Sequence, residues 1–269
     1  MRQKFGWRYS ILLSACILTL TAASHAATLD VATLAGRDAL AALQNKTVLL
    51  AGASGKNGRV VLRQLTALGI KVRAMTRDVE DARESIGSNY NWVQADVTKP
   101  ETLPPVLKGV NIIISAVATA MPLGANKPEH VDYEGMVNLS RAGKAAGVTR
   151  FVIITSSVSG QKDNFLNIIG NDVLIWKARG EEAIRKSGLE YVIVGPAGIS
   201  DDPGGVRPIR IFDRARYLRG MMITREDLAT VVIASAGLPA AANRVFSVAN
   251  GTGGAVADWY ASLRGLPAQ

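Results

Sequence analysis

Three glycines spaced three residues apart constrain this chain more than any other feature. Gly52, Gly55 and Gly58 directly follow a short apolar run at residues 46–51 and open a segment with helical spacing at 59–68. A strand that turns sharply into a helix needs a residue without a Cβ at the turn and another where the helix packs against the strand. Between them the main chain stays accessible, and the unpaired N–H groups of the helix start attract a phosphate. The sequence therefore predicts a strand, a glycine turn and a helix that together hold a pyrophosphate.

The rest of the chain alternates between strand-like and helix-like segments. Short apolar runs bounded by turn residues predict strands at 46–51, 72–76, 92–94, 110–115, 151–155, 191–194, 209–212 and 244–248. Apolar residues at helical spacing predict helices at 28–44, 59–68, 80–85, 101–107, 133–146, 172–186 and 224–236, the last capped by Thr224. Such alternation specifies a parallel sheet with helices on both faces. We expect an α/β fold, a Rossmann-like doubly wound parallel sheet in a single domain.

The domain plan follows from these segments. Residues 27–45 are expected to form a leading helix and 46–269 the dinucleotide-binding domain. Within that domain, residues 196–223 are rich in turn formers and contain no clear helix. Open parallel sheets bind ligands beyond the carboxyl ends of their strands. We predict that 196–223 is a small segment that covers the substrate there.

The composition excludes several classes of site. The 269 residues include two histidines, His25 and His130, and one cysteine, Cys16, too few for a Cys/His metal cluster or a disulfide framework. No G-x-S-x-G nucleophile elbow accompanies His130, which argues against a Ser-His-Asp triad. The formal net charge of +9 is scattered without a Lys/Arg run, which argues against a nucleic-acid partner. A small-molecule substrate and no metal are therefore expected.

The first 26 residues have the pattern of an export signal. Residues 2–8 carry three positive charges, 11–23 carry none, and 24–26 include the small side chains that suit cleavage. The uncharged run extends over 11–29, about long enough to cross a bilayer, so an uncleaved membrane anchor is the alternative. A transit peptide fits less well, because the segment is strongly apolar and poor in arginine. We expect an exported, periplasmic protein, or one anchored to a membrane by 11–29.

The residues after the second predicted strand distinguish between the two nicotinamide dinucleotides. The sequence there reads Arg77-Asp78, beginning nineteen residues beyond Gly58. An arginine favours NADP, because its guanidinium pairs with the 2′-phosphate in a bidentate fork. If Asp78 instead holds the ribose hydroxyls, the cofactor is NAD. We expect NADP, with further positive charge available from Lys56, Arg59 and Arg73.

Over residues 46–250 the chain resembles the atypical short-chain dehydrogenase/reductase proteins with NmrA-like or NAD(P)H-binding domains. The resemblance rests on the glycine turn and on Arg77-Asp78, Ala95-Asp96-Val97, Asp132-Tyr-Glu-Gly135, Phe151 to Ser157, Trp176-Lys177 with Glu181-Glu182, Ser187 to Tyr191, Pro196 and Arg225 to Ala229. It implies a contact from Asp96 and Val97 to adenine and a loop at 116–121 that borders the cofactor. The expected cofactor-binding residues are Gly52, Ser54, Gly55, Lys56, Asn57, Gly58, Arg77, Asp96, Val97, Ala116, Lys177 and Pro196.

The expected catalytic residues are Ser156, Ser157 and Lys177. Short-chain reductases usually combine a serine, a tyrosine and a lysine four residues after the tyrosine, which lowers the tyrosine pKa. Lys177 fits the lysine, but Val173 stands where the tyrosine would be. The serines would hydrogen-bond a carbonyl, and Lys177 would contact the nicotinamide ribose. These three residues are equally well explained as ordinary polar residues at a strand end and on a helix surface. Tyr133 is the nearest substitute for the missing tyrosine, but its position suits packing at a helix start.

Three functions remain open from the sequence. The first is an NADPH-dependent oxidoreductase acting on an unidentified small carbonyl or quinone-like substrate. The second is a non-catalytic NADP-binding sensor or assembly protein, for which the absent tyrosine is the main argument. The third is an exported relative that has lost its cofactor, because nicotinamide dinucleotides are made and recycled in the cytoplasm.

Overall fold

The computed structural model describes residues 34–120, 122–252 and 259–266. The predicted signal peptide at 1–26, the alternative anchor at 11–29 and the first part of the leading helix lie outside these ranges. Within them, no helix combines the length and apolar character needed to cross a bilayer.

An eight-stranded sheet forms the centre of the described fold. Its strands lie in the order β3-β2-β1-β4-β5-β6-β10-β8, and only the β10–β8 pair is antiparallel. A separate pair, β7 and β9, is parallel. The strands are β1 (Thr47–Ala51), β2 (Lys71–Thr76), β3 (Trp92–Gln94), β4 (Ile112–Ser115), β5 (Arg150–Ile154), β6 (Glu190–Pro196), β7 (Gly198–Ser200), β8 (Ile209–Phe212), β9 (Met222–Thr224) and β10 (Arg244–Asn250). The strand order reverses between β1 and β4, which is where open α/β sheets form their ligand crevice.

Helices cover both faces of this sheet. They are α1 (Leu34–Leu43), α2 (Lys56–Ala67), α3 (Val79–Ser85), α4 (Leu103–Leu107), α5 (Gly135–Ala145), α6 (Phe165–Ile169), α7 (Val173–Arg185), α8 (Arg225–Gly237) and α9 (Trp259–Gly265). A π-helical turn at Glu129–Glu134 leads into α5. The predicted Rossmann-like fold in a single domain is confirmed.

The burial of α8 explains why the leading helix, α1, packs against it. Residues 227–237 are all buried, so α8 needs a cover on the side that faces away from the sheet. Helix α1 supplies it, and a Cβ on Gly237 would lie 2.4 Å from the carbonyl oxygen of Ala39. The two helices therefore pack backbone to backbone at that point.

The last part of the chain contains features that the sequence did not predict. Strand β8 is at the predicted position, and it runs antiparallel to β10 at the sheet edge. Its alternation of buried Ile209 and Ile211 with exposed Arg210 is typical of a half-buried edge strand. The short elements β7, β9, α6 and α9 have no counterpart among the predicted elements.

Candidate functional site

The glycine turn has the geometry that its sequence indicates. Gly52 has a φ of +76°, and a Cβ there would lie 2.9 Å from the amide nitrogen of Val117. A Cβ on Gly58 would lie 2.1 Å from the carbonyl oxygen of Gly52, so any side chain there would push α2 off the strand. Gly55 is extended and exposed immediately before α2. Gly52 thus makes the turn, Gly58 permits the packing, and Gly55 leaves the main chain accessible.

The turn opens onto a cleft at the carboxyl ends of β1 to β4. Among the predicted cofactor residues, those that line the cleft are Gly52, Ser54, Gly55, Arg77, Asp96, Val97 and Ala116. The loop that follows β4 forms another wall through residues 117–120. Most of the predicted dinucleotide residues therefore meet in one place.

Arg77 and Asp78 directly follow β2 and differ in their contacts. Arg77 is exposed, and its guanidinium has no hydrogen bond or ion pair with the residues that the structure describes. Asp78 is engaged as the N-cap of α3, since its Oδ1 accepts a hydrogen bond from the amide of Asp81 at 3.0 Å. Arg77 is thus the residue of the two that can pair with an additional phosphate.

The expected contribution of Arg73 to this charge is wrong. Its guanidinium donates to the carbonyl oxygens of Val106 and Lys108 at 2.9 and 2.7 Å. Arg73 lies opposite Leu49 in the middle of β2, and these bonds hold it away from the carboxyl ends of the strands. Arg59 instead donates to the Ser54 carbonyl at 2.8 Å and so supports the glycine turn.

The first turn of α2 carries the predicted residues Lys56, Asn57 and Gly58. Lys56 is exposed, whereas the side-chain oxygen of Asn57 accepts a hydrogen bond from Arg225 at the start of α8. Arg225 also donates to Asp201 at 2.7 Å, and this hydrogen bond holds the pKa of Asp201 below its ordinary value. The cofactor turn is thereby joined to residues 196–223.

Two buried acids also fix the 196–223 segment. Glu181 accepts two hydrogen bonds from Arg214, at 2.6 and 2.9 Å. Asp227 accepts one from the amide of Gly205 and one from Asn250, each at 2.8 Å. These contacts hold the segment against α7 and α8, while its role over the substrate stays a prediction.

Asp132 forms a buried junction that sequence reasoning missed. Its side chain is 2% exposed and accepts a hydrogen bond from Lys177 Nζ at 2.6 Å. Its other oxygen accepts from the hydroxyl of Thr119 at 2.6 Å and from the Thr119 amide at 3.3 Å. Thr119 belongs to the wall of the cleft. Asp132 therefore joins α7 to the loop that borders the cofactor.

This junction changes the expected position of Lys177. Its ammonium is directed to Asp132, and the residue does not line the cleft. The sequence signal for Asp132 was limited to its presence in a resemblance motif, because the two residues lie 45 positions apart.

The two predicted serines occupy different environments. Ser156 is partly exposed and accepts a local hydrogen bond from the Val158 amide at 3.3 Å. Ser157 is 3% exposed and donates to the Gly195 carbonyl at 2.7 Å, so its hydroxyl ties the end of β5 to β6. Pro196 is buried within β6 and also lies outside the cleft lining.

Tyr133 has the packing role that its position suggested. Its ring stacks on Trp176 with centroids 6.0 Å apart and an interplanar angle of 26°. Val173, which takes the usual tyrosine position, begins α7. Among the described residues, the usual tyrosine and lysine pair is therefore absent.

A family model described as NAD(P)H-binding matches residues 52–239. The chain belongs to this NAD(P)H-binding family. The match extends from the glycine turn to just beyond α8, and it supports both the atypical short-chain dehydrogenase/reductase resemblance and a nicotinamide dinucleotide cofactor.

Several curated proteins are similar over much of the chain. An uncharacterised chloroplastic protein of Arabidopsis thaliana is 36% identical over 175 residues, covering 60% of this chain and 62% of the relative. Sanguinarine reductase of Eschscholzia californica is 27% identical over 257 residues, covering 80% and 94%. The photosystem II assembly factor Ycf39 of Guillardia theta is 33% identical over 145 residues, covering 54% and 44%. The chain thus spans less than two thirds of the Arabidopsis and Guillardia proteins.

Solved structures extend the likeness in fold. An anaerobillin reductase from Escherichia coli O157:H7 is similar with a TM-score of 0.64 and 20% identity, covering 78% of this chain and all of that one. At this identity the comparison supports the architecture alone.

The Asp132–Lys177 pair provides a test of the junction. We expect Asp132→Asn to lower the free energy of unfolding by about 3 kcal/mol, because it leaves a largely buried ammonium without its counter-charge. Asp132→Asn with Lys177→Met should recover more than half of that loss. Urea denaturation followed by circular dichroism measures both changes. Arg83→Met, which breaks the exposed pair with Glu80, is the control and should cost less than about 0.5 kcal/mol. An Asp132→Asn loss no larger than this control would contradict the assignment.

Proposed function

We propose that this protein is an NADPH-dependent reductase of a small carbonyl or quinone-like compound. The observation that carries the proposal is the guanidinium of Arg77, which has no partner among the described residues and lines a cleft that also contains the glycine turn. A cation at the end of the second strand suits the 2′-phosphate that distinguishes NADP from NAD. The engagement of Asp78 as a helix cap supports the same choice.

The chain's own residues suggest how the cofactor would be held. The first turn of α2 offers unpaired amides to the pyrophosphate, while Asp96 and Val97 border the adenine side of the cleft. Bound NADPH supplies a hydride. Ser156 is the predicted serine whose exposure allows it to orient a carbonyl. Asp132 fixes Lys177 and the Thr119 wall, so the cleft is shaped before any ligand enters.

A non-catalytic NADP-binding protein is the second candidate. The observations that favour it are Val173 in place of the tyrosine, and Ser157 and Lys177 both bound to protein groups. One similar protein is named as an assembly factor. The family includes relatives with reductase names as well, so turnover is the property that separates the two candidates.

For the N-terminus we propose a targeting segment at residues 1–26 that directs export, with a membrane anchor at 11–29 as the alternative. The names of similar plant proteins describe them as chloroplastic and leave the destination of this chain open. An intact mass lacking the first 26 residues would support cleavage, whereas a full-length mass in the membrane fraction would support the anchor.

Arg77→Asp tests the choice of cofactor. We expect the variant to bind NADPH at least about tenfold more weakly while its affinity for NADH changes little, because a carboxylate repels the 2′-phosphate. Lys71→Asp makes a similar charge change at the opposite end of β2 and should leave both affinities unaltered. Titration calorimetry on the wild type and both variants measures the six dissociation constants. An equal loss for NADPH and NADH in Arg77→Asp would remove the argument for NADP.

A reduction assay tests the proposed activity. We expect NADPH to raise the melting temperature, since a ligand that binds the native state stabilises it. With a panel of carbonyl compounds and quinones, the near-ultraviolet absorbance of NADPH should fall in a protein-dependent manner. Ser156→Ala should then lower kcat roughly tenfold. A clear melting shift without turnover on any compound would favour the sensor or assembly role, and no shift at millimolar cofactor would favour a relative that has lost its cofactor.

A further inference from the structure

Helix α6 exposes its apolar side chains and buries its polar one. Phe165, Leu166, Ile168 and Ile169 are 65%, 42%, 81% and 55% exposed, whereas Asn167 is 6% exposed. A contiguous apolar patch on a protein surface commonly marks a binding site. We call these four apolar side chains the α6 platform.

Asn167 explains why the helix does not turn this surface inward. Its Nδ2 donates to the carbonyl oxygens of Gln161 and Lys162 at 2.8 and 3.0 Å. Its Oδ1 accepts from the amide of Leu174 at 3.0 Å. Rolling the helix over would break these bonds and leave buried polar groups unsatisfied. The platform therefore faces outward because specific contacts hold it there.

The segment that carries the platform is hydrogen-bonded to the loop that forms one wall of the cleft. Asn171, two residues after α6, donates from its side chain to the Pro122 carbonyl at 3.1 Å. Pro122 continues the loop whose residues 116–120 line the cleft. Leu123, the next residue along that loop, is 73% exposed. The connection that carries α6 also begins at Ser156, at the carboxyl end of β5. A ligand that extends from the cleft past residues 120 and 122–123 can thus reach apolar surface.

We propose that the α6 platform binds the apolar body of the substrate, an aromatic or branched hydrocarbon scaffold, while the carbonyl or quinone group lies at the cleft. The carbonyl or quinone as the reacting group follows from the proposed function, whereas the apolar scaffold is inferred from the platform alone. The adjacent Lys162 and Asp163 carry opposite charges, so binding would come from burial of apolar surface. A sugar or another hydroxyl-rich compound gains little from such a surface, which narrows the substrate class to lipophilic carbonyl compounds.

A dye that needs no cofactor tests the platform directly. The full chain would be titrated with N-phenyl-1-naphthylamine, an uncharged apolar dye whose fluorescence rises when it leaves water. Ile168→Ser and Phe165→Ser remove apolar surface without touching Asn167, so each should weaken dye affinity about tenfold and leave the melting temperature unchanged. Ala145→Ser is the control, because it changes an exposed apolar residue at the end of α5, outside both the α6 platform and residues 196–223, and should not alter affinity. Affinities that are the same for wild type and all three variants would overturn the proposal.

Reduction kinetics separate this inference from the proposed function. Ile168→Ser should raise KM for 9,10-phenanthrenequinone about tenfold while kcat and the KM for methylglyoxal, a small polar carbonyl, stay the same. If both compounds are reduced and Ile168→Ser changes neither KM, the proposed role of the platform is overturned and the proposed reductase activity is supported. Dye binding through the platform without any turnover would support an apolar ligand site and count against the reductase.

Two separate measurements test whether a different occupant covers the platform. If Ile168→Ser converts a dimer into a monomer on size exclusion, a second copy of the chain covers the platform. If vesicles containing phosphatidylglycerol bind the wild type and not the variant, a lipid surface covers it. Either result overturns the proposal, whereas an unchanged oligomeric state and unchanged flotation support it.

Discussion

The close backbone contact between Gly58 and Gly52 is the constraint on which the candidate site depends. Any Cβ at position 58 would collide with the carbonyl oxygen of residue 52, and the positive φ of Gly52 sets the direction in which the chain leaves β1. These two conditions bring the amino end of α2 to the switch point of the sheet. The same turn lies against Val117, so it also positions the loop after β4. The cleft is the space between these two backbone segments.

Features encoded locally were predictable from the sequence. The glycine turn, the apolar strands and the Thr224 cap, which accepts from the Asp227 amide at 3.1 Å, depend on residues a few positions apart. The Asp132–Lys177 pair joins residues 45 positions apart, and no periodic pattern in the sequence predicts this contact. The position of β8 was predicted, but its direction follows from pairing with β10, which is about 35 residues further along the chain. No element was predicted at Phe165–Ile169, and the outward direction of its apolar side chains depends on the buried contacts of Asn167 with residues outside the helix.

The arrangement of the site separates cofactor binding from catalysis. The glycine turn, Arg77 and the walls at Asp96 and Ala116 form a coherent dinucleotide cleft. The groups expected to perform chemistry are less complete, since Ser157 is bonded to Gly195 and Lys177 to Asp132. The proposed reductase would therefore depend on positioning an electrophilic substrate beside the cofactor for much of its rate. The α6 platform suggests that this positioning comes from apolar contact.

A crystal structure of the protein with NADPH tests the central claim most directly. The account predicts the pyrophosphate against the main-chain amides that follow Gly55, with the adenine ribose phosphate beside Arg77. A dinucleotide bound elsewhere, or a cleft closed by residues 116–120 with coenzyme in the crystal, would contradict it.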